Sequence, residues 1–217
     1  MINLAVLILI SYLIGSIPTG VIMGFLTQKK DIRKFGSGHT GATNSFRVLG
    51  PGAGIVVVFV DFLKGFLVID LLSSLVIFPV LDIPGSALFI ILTLAAVIGH
   101  VKPVFAGFKG GMGFNTAAGA LTAYLPIIAP FCLFVFSLSL TLTGHVGVSA
   151  FFTVILLPLF YYFMSVFSSY IEFDPVIMGF FIFILLLLIF STKKKLGQYF
   201  RGEADLFTKI MIFKRGR

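Results

Sequence analysis

The sequence is short of almost everything a water-soluble domain displays on its surface. Only 11% of its 217 residues are charged and 59% are hydrophobic, whereas roughly a quarter of a soluble domain is charged. That excludes a solvated globular fold and points to an integral membrane protein. Tryptophan is absent, and the one cysteine, Cys132, stands inside an apolar run. A lone cysteine excludes a disulfide framework and a cysteine-rich metal site; here it reads as a small buried apolar side chain. The three histidines, His39, His100 and His145, show no H-x-x-x-H spacing, so no metal is expected, and no other cofactor. Acidic residues are also scarce, eight against sixteen Lys and Arg, for a net charge of +8. No nucleic-acid motif accompanies that excess, so it reads as the basic loops of a membrane protein rather than a nucleic-acid surface.

What is present is a series of long apolar stretches. Residues 1–28 carry no charge and suffice to span a bilayer, which takes about 20 residues. They lack the basic start and small-residue cleavage site of a signal peptide and so predict a retained first helix. Ser16, Gly20 and Gly24 recur every fourth residue, a face for close helix packing. Further helices are expected over about 51–79, 83–101, 114–124 (short or tilted), 127–142, 148–170 (kinked at Pro158) and 175–190. The reading is an all-α polytopic membrane protein of about seven transmembrane helices. Residues 1–192 form a single transmembrane domain with polar loops at 27–52 and 100–113, and 193–217 form a basic tail.

Orientation follows from charge. Counting loops alternately puts every Lys and Arg on one face, Lys64 just inside it, and only Asp82, Glu172 and Asp174 on the other. By the positive-inside rule the basic face is cytoplasmic, with the N-terminus outside and the C-terminus inside.

Two polar stretches interrupt the hydrocarbon on that face. The first, 34–50, reads KFGSGHTGATNSFRVLG, and Gly36, Gly38 and Gly41 spell G-x-G-x-x-G. A dinucleotide fold is excluded, because the fingerprint needs a strand before it and a compact βαβ unit around it. The physical content survives: glycines let backbone N–H groups approach an anion, Ser37, Thr43 and Asn44 add neutral donors, and Arg47 offers a fork suited to phosphate. The second stretch places Lys109 beside Gly110 and Gly111, again the ingredients of an anion site. Two such loops on one face can converge on one ligand. Below them Asp61 and Lys64 lie three apart on one helical face, either neutralising each other or contributing to a polar site under the glycines.

GSIPTG at 15–20, GSGHTGATNSFRVLG at 36–50, DFLKG at 61–65 and GHVKPVFAGFKGGMG at 99–113 resemble the acyl-phosphate:glycerol 3-phosphate acyltransferase (PlsY) family. The resemblance covers the chain in order and length. It implies a seven-helix protein of the bacterial cytoplasmic (inner) membrane that transfers a fatty acyl group from acyl phosphate to the first hydroxyl of glycerol 3-phosphate, giving lysophosphatidic acid. It places Lys109, Arg47, Asn44 and His100 at the reacting groups. Around substrate phosphate it places Ser37, Gly38, Gly41, Thr43, Gly110, Gly111, Asp61 and Lys64. The sequence departs from the family pattern at His39 for asparagine, at Met112 for the second lysine of the second loop, at Gly144 and Gly147 in a later serine motif, and at Ser191, Thr192 and Lys195. The alternative is a non-catalytic or re-purposed relative that binds or moves a lipid phosphate.

Overall fold

A computed structural model describes residues 4–74, 83–186 and 201; Asp82, the Lys193–Lys195 run and the tail 193–217, apart from Arg201, lie outside the described residues. Among the described residues all regular structure is helical. Four stretches are long and apolar enough to cross a membrane, 4–28, 51–71, 85–106 and 146–167, and two shorter apolar helices cover Ile128–Thr143 and Pro175–Leu186.

The first stretch is not one continuous helix, as the sequence reading has it. α1 (Leu4–Gly15) stops, and α2 (Thr19–Gln28) restarts after Pro18. Proline has no N–H to donate and its ring obstructs the preceding turn, so the backbone opens at 16–18. Non-helical backbone at membrane depth must find partners inside the protein, and the Ile17 carbonyl does, accepting from Lys64 Nζ at 3.2 Å. A second departure lies inside the expected loop 27–52. Ala42–Leu49 forms an eight-residue helix, α3, entered through Gly41 and followed directly by α4 (Pro51–Ser74). Proline suits the first helical position because its missing N–H would have no partner there. α5 (Gly85–Val101) and α6 (Phe114–Tyr124) complete this part of the chain.

The chain packs as two compact units, 1–126 and 127–217. In the first, α1 lies along α5 and α4 along α6, both at close range. A Cβ on Gly99 would strike the Tyr12 carbonyl, and one on Gly65 the Thr116 carbonyl; glycine at the crossing lets the backbones touch. Gly20 and Gly24 do something else than pack a helix: they press against the carbonyls of Thr40 and Lys30, so α2 carries the first glycine loop on its small face. Ile32, Leu49 and Ala53 close a small apolar core beneath that loop, with Met23 and Val48 against it. The second unit holds α7 (Ile128–Thr143), α8 (Val146–Phe167) and α9 (Pro175–Leu186). Its core is aromatic: Phe131 stacks on Phe160 at 3.9 Å, and buried Tyr161 meets Phe181 edge to face at 5.3 Å. Large apolar side chains such as Leu26, Phe59, Leu133 and Leu159 stand exposed, as a lipid-facing surface requires.

Candidate functional site

The site is built in three tiers within the first unit. Its floor is ionic. Asp61 and Lys64, one turn apart on α4, pair at 2.9 Å with both side chains almost fully buried. Charges taken out of water persist only when geometry and further hydrogen bonds compensate, and here they do. Thr19 at the start of α2 donates to Asp61 Oδ1 at 3.0 Å, and Lys64 Nζ reaches His100 Nδ1 at 2.8 Å as well as the Ile17 carbonyl. Thr116 Oγ1 lies 3.4 Å from the same His100 nitrogen. His100 closes α5, and its ring is 6% exposed.

The middle tier is the second glycine stretch, folded over His100. Gly111 N donates to the His100 carbonyl at 3.1 Å. A Cβ on Gly110 would collide with that carbonyl and one on Gly111 with the ring at Nε2. The paired glycines are therefore a steric necessity, since the loop runs at contact distance across the imidazole.

The upper tier is the first glycine stretch, and it is fastened to the second. Thr40 N donates to the Gly110 carbonyl at 3.3 Å, and His39 Nδ1 lies 3.3 Å from the same oxygen. A guanidinium clamp adds to this: Arg33 donates in a fork to Asp31 (2.8 and 2.9 Å) and from its other nitrogen to the Ala106 carbonyl at 2.7 Å. The Arg33 hydrogen bonds hold the Asp31 carboxyl below its ordinary pKa. Inside the loop, Asn44 is 1% exposed and fully engaged. Its oxygen accepts from Ser37 N, and its amide nitrogen donates to the carbonyls of Ile32, Phe35 and His39. Gly36 and Gly38, at φ +58° and +73°, supply the left-handed turns that wrap the chain around this amide.

The result is a junction. Gly41 begins α3, where backbone N–H groups and the helix dipole favour an anion. The point at which a Gly41 Cβ would sit is 3.9 Å from both Gly111 Cα and His100 Nε2. The two glycine stretches thus meet over one imidazole nitrogen. Of the residues singled out in the sequence, Gly41, Gly110, Gly111, His100, Lys64 and Asp61 come together here. Thr43 lies in the first turn of α3 and Gly38 in the loop wall, both part-exposed; Ser37 and Lys109 are exposed at the rim. Arg47 is exposed in the last turn of α3, about 7.5 Å along the axis from Ala42. Asn44 faces the loop's own backbone instead of the junction.

Four contributors escaped the sequence reading. Thr19 and Thr116 carry no charge; Thr19 stands in the GSIPTG stretch with no role assigned to it, and Thr116 stands in no motif. The Ile17 carbonyl is freed by the break at Pro18, which the expectation of one continuous helix over 1–28 passed over. Arg33 pairs with Asp31 two residues away, a recognisable turn signal, but its acceptor on the second loop is 73 residues distant.

Comparison with known proteins sets this geometry in context. The family model described as glycerol-3-phosphate acyltransferase matches residues 5–202. A glycerol-3-phosphate acyltransferase of Staphylococcus carnosus is 39% identical over 204 residues, 92% of this chain and 96% of the relative. One from Listeria monocytogenes is 47% identical over 150 residues, 69% of this chain and 73% of that one. Among solved structures, the glycerol 3-phosphate form of PlsY, an integral membrane glycerol 3-phosphate acyltransferase, superposes with a TM-score of 0.75 at 32% identity, covering 94% of this chain and 95% of that one. Its lysophosphatidic acid form gives 0.75 at 30% identity, covering 94% of each.

Proposed function

This chain belongs to the glycerol-3-phosphate acyltransferase family, and from that premise we propose that it transfers a fatty acyl group from acyl phosphate to glycerol 3-phosphate at the junction of its two glycine loops. The observation that carries the reading is the meeting of Gly41, Gly111 and His100 Nε2 around one point above a buried ionic floor. Both substrates carry phosphate, and the junction offers helix N–H groups, flexible backbone and an imidazole to receive it.

The chemistry is balanced without a cofactor. The hydroxyl oxygen of glycerol 3-phosphate bonds to the acyl carbon, and the bond from that carbon to the phosphate oxygen breaks with its electron pair leaving on phosphate. The hydroxyl proton ends on the departing phosphate, which leaves as hydrogen phosphate. Acyl phosphate is already activated, so no covalent enzyme intermediate is demanded; positioning and charge stabilisation supply the rate. Gly41, Thr43 and the Gly110–Gly111 backbone hold phosphate, with Ser37 and Gly38 in the loop wall. Lys109 and Arg47 neutralise charge from the rim, and Asn44 keeps the first loop in shape. That relatives of this chain are named as acyltransferases supports catalysis over mere binding of a lipid phosphate.

The protein is a multi-pass membrane protein. We place it in the bacterial cytoplasmic membrane with seven spans within 1–192, the N-terminus outside, and the glycine loops and the 193–217 tail in the cytoplasm. The segregation of basic residues supports this orientation. Cysteines placed at Lys30 and at Glu172 should then label from opposite sides, and outside labelling at 30 overturns it.

The donor is tested with purified protein, labelled glycerol 3-phosphate and three donors offered in turn: a long-chain acyl phosphate, the matching acyl-coenzyme A and the acyl-carrier-protein thioester. Lysophosphatidic acid is expected from acyl phosphate alone. Formation from either thioester but not from acyl phosphate would overturn the donor assignment.

A further inference from the structure

We propose that Asp61 and Lys64 fix His100 as a permanent hydrogen-bond donor, its Nε2–H presented to substrate phosphate at the loop junction, so that His100 is not the base that takes the acceptor's proton. The proposal deepens the reading above and rests on it for the identity of the ligand. The hydrogen-bond geometry carries it. Lys64 Nζ lies 2.9 Å from the Asp61 carboxylate and 3.2 Å from the Ile17 carbonyl, two acceptors that favour the ammonium, which has three donors and no lone pair. Its contact with His100 Nδ1 at 2.8 Å is therefore possible only if Nδ1 is unprotonated and accepts. A neutral imidazole with Nδ1 bare carries its proton on Nε2. Thr116 Oγ1, at 3.4 Å from Nδ1, is a second group able to donate to that lone pair.

Nε2 is the end that matters. Among the described residues no hydrogen bond terminates on it, although the ring is 6% exposed. It points to the place where a Gly41 Cβ would lie 3.9 Å away, and the Gly111 backbone crosses directly over it. A donor that carries no hydrogen bond and opens into an anion cradle is prepared for an oxygen of the ligand. In a dry site such a preset donor is worth far more than in water and needs no reorganisation when charge accumulates on the departing phosphate. A general base would need the opposite arrangement, with a lone pair at Nε2 and the proton held at Nδ1. The groups facing the ring from the surrounding elements are Asp61 and Lys64 on α4, Thr19 at the start of α2, next to Asp61, and Thr116 on α6. Only Asp61, 3.7 Å from Nδ1, favours a proton there, and Lys64 stands between that carboxylate and its effect. Lys64 and Asp61 are thus positioning residues, acting on substrate through the histidine.

The test has two independent arms. In the first, protein labelled with ¹⁵N at its histidines is examined by NMR without substrate, the His100 signals being assigned by their loss in His100→Gln. A pyridine-like Nδ1 and a pyrrole-like Nε2 are expected; the reverse tautomer or an imidazolium overturns the proposal. The paired replacement Asp61→Asn with Lys64→Met leaves no unpaired charge in the floor and should release the tautomer into a mixture. An unchanged tautomer there means the ion pair does not set it. In the second arm, glutamine at 100 retains an N–H near the position of Nε2 but cannot serve as a base. Turnover in His100→Gln should stay within about tenfold of the parent, while His100→Ala loses roughly a hundredfold or more, as removal of a preset donor does. Equal loss in both variants overturns the donor role. Should the parent fail to turn over acyl phosphate at all, the functional reading fails while the NMR arm still decides the tautomer.

Discussion

Asp61, Lys64 and His100 on the one hand, and Ser37, Arg47 and Lys109 on the other, serve one site under opposite conditions. The first three are buried and bonded to one another across α4 and α5. The second three are exposed, and two of them are long cations that reach a ligand only by folding down onto it. The floor is a fixed electrostatic arrangement whose disruption affects the whole unit; the rim is an adjustable charge field whose loss affects affinity. A buried pair left half-made strands a charge in a low dielectric, whereas an exposed cation is screened and replaceable.

The largest expected effect is therefore on the floor. Asp61→Ala or Lys64→Ala strands its partner and should destabilise the protein by about 3–5 kcal/mol, read as a fall in thermal unfolding temperature in detergent. The paired change Asp61→Asn with Lys64→Met should recover most of that loss. Equal stability of Asp61→Ala and the parent would erase the distinction between floor and rim.

The glycine crossing comes next. Gly111→Ala puts a methyl group into the His100 ring, so the second loop must lift from the imidazole. Activity should drop by roughly a hundredfold, the scale of an ångström's misplacement in a reacting site, while stability falls by no more than the about 1–3 kcal/mol of an overpacked contact. Parental activity in this variant would show that the loop's contact with His100 is dispensable.

At the rim, Arg47→Ala and Lys109→Ala each remove a charge-assisted contact worth about 1.5–3 kcal/mol. The KM for a phosphate substrate should rise by about ten- to a hundredfold, converted at 1.4 kcal/mol per tenfold, with folding intact. Lysine at 47 should rescue in part, since a point charge lacks the guanidinium fork. An unchanged KM in both alanine variants places phosphate elsewhere. Met112, exposed on the second loop, invites the reverse experiment: Met112→Lys should raise turnover a few-fold at low salt and less at high salt, where exposed charges are screened.

The smallest effect is expected from the clamp that ties the loops together. Asp31 titrates below its ordinary value because Arg33 donates to it. A depressed folded pKa means that its stabilising contribution is whole above the unfolded value of about 3.9 and disappears as pH falls through the lower folded value. Unfolding temperature should thus be insensitive to Asp31→Asn in its pH dependence above pH 5 or so, and the parent should lose more than the variant only under stronger acid. A differential loss near neutrality would contradict the clamp as described.

How far the sequence foretold this arrangement depends on the range of the interactions. The glycine stretches, the Asp61–Lys64 spacing and the apolar segments are local patterns, and each was legible. The helix Ala42–Leu49 was not, because eight residues set between glycines are too few to hold a helix by local propensity. Its reason to form is tertiary: Leu49 packs with Ile32 and Ala53, and Phe46 lies on Gly54 of α4. Asn44 reads from sequence as a donor to phosphate, and only the fold shows its amide surrounded by four backbone groups of its own loop. The tautomer of His100 depends on a lysine 36 residues away, a relation that no spacing rule contains.

The claim on which the rest stands is that one phosphate ligand engages both glycine stretches at once. Hydrogen–deuterium exchange of the purified protein, with and without glycerol 3-phosphate, measures it directly at the backbone. The account predicts slowed exchange together in 36–44 and 109–113, abolished in parallel by Gly111→Ala. Protection confined to one stretch, or appearing only elsewhere in the chain, would contradict it.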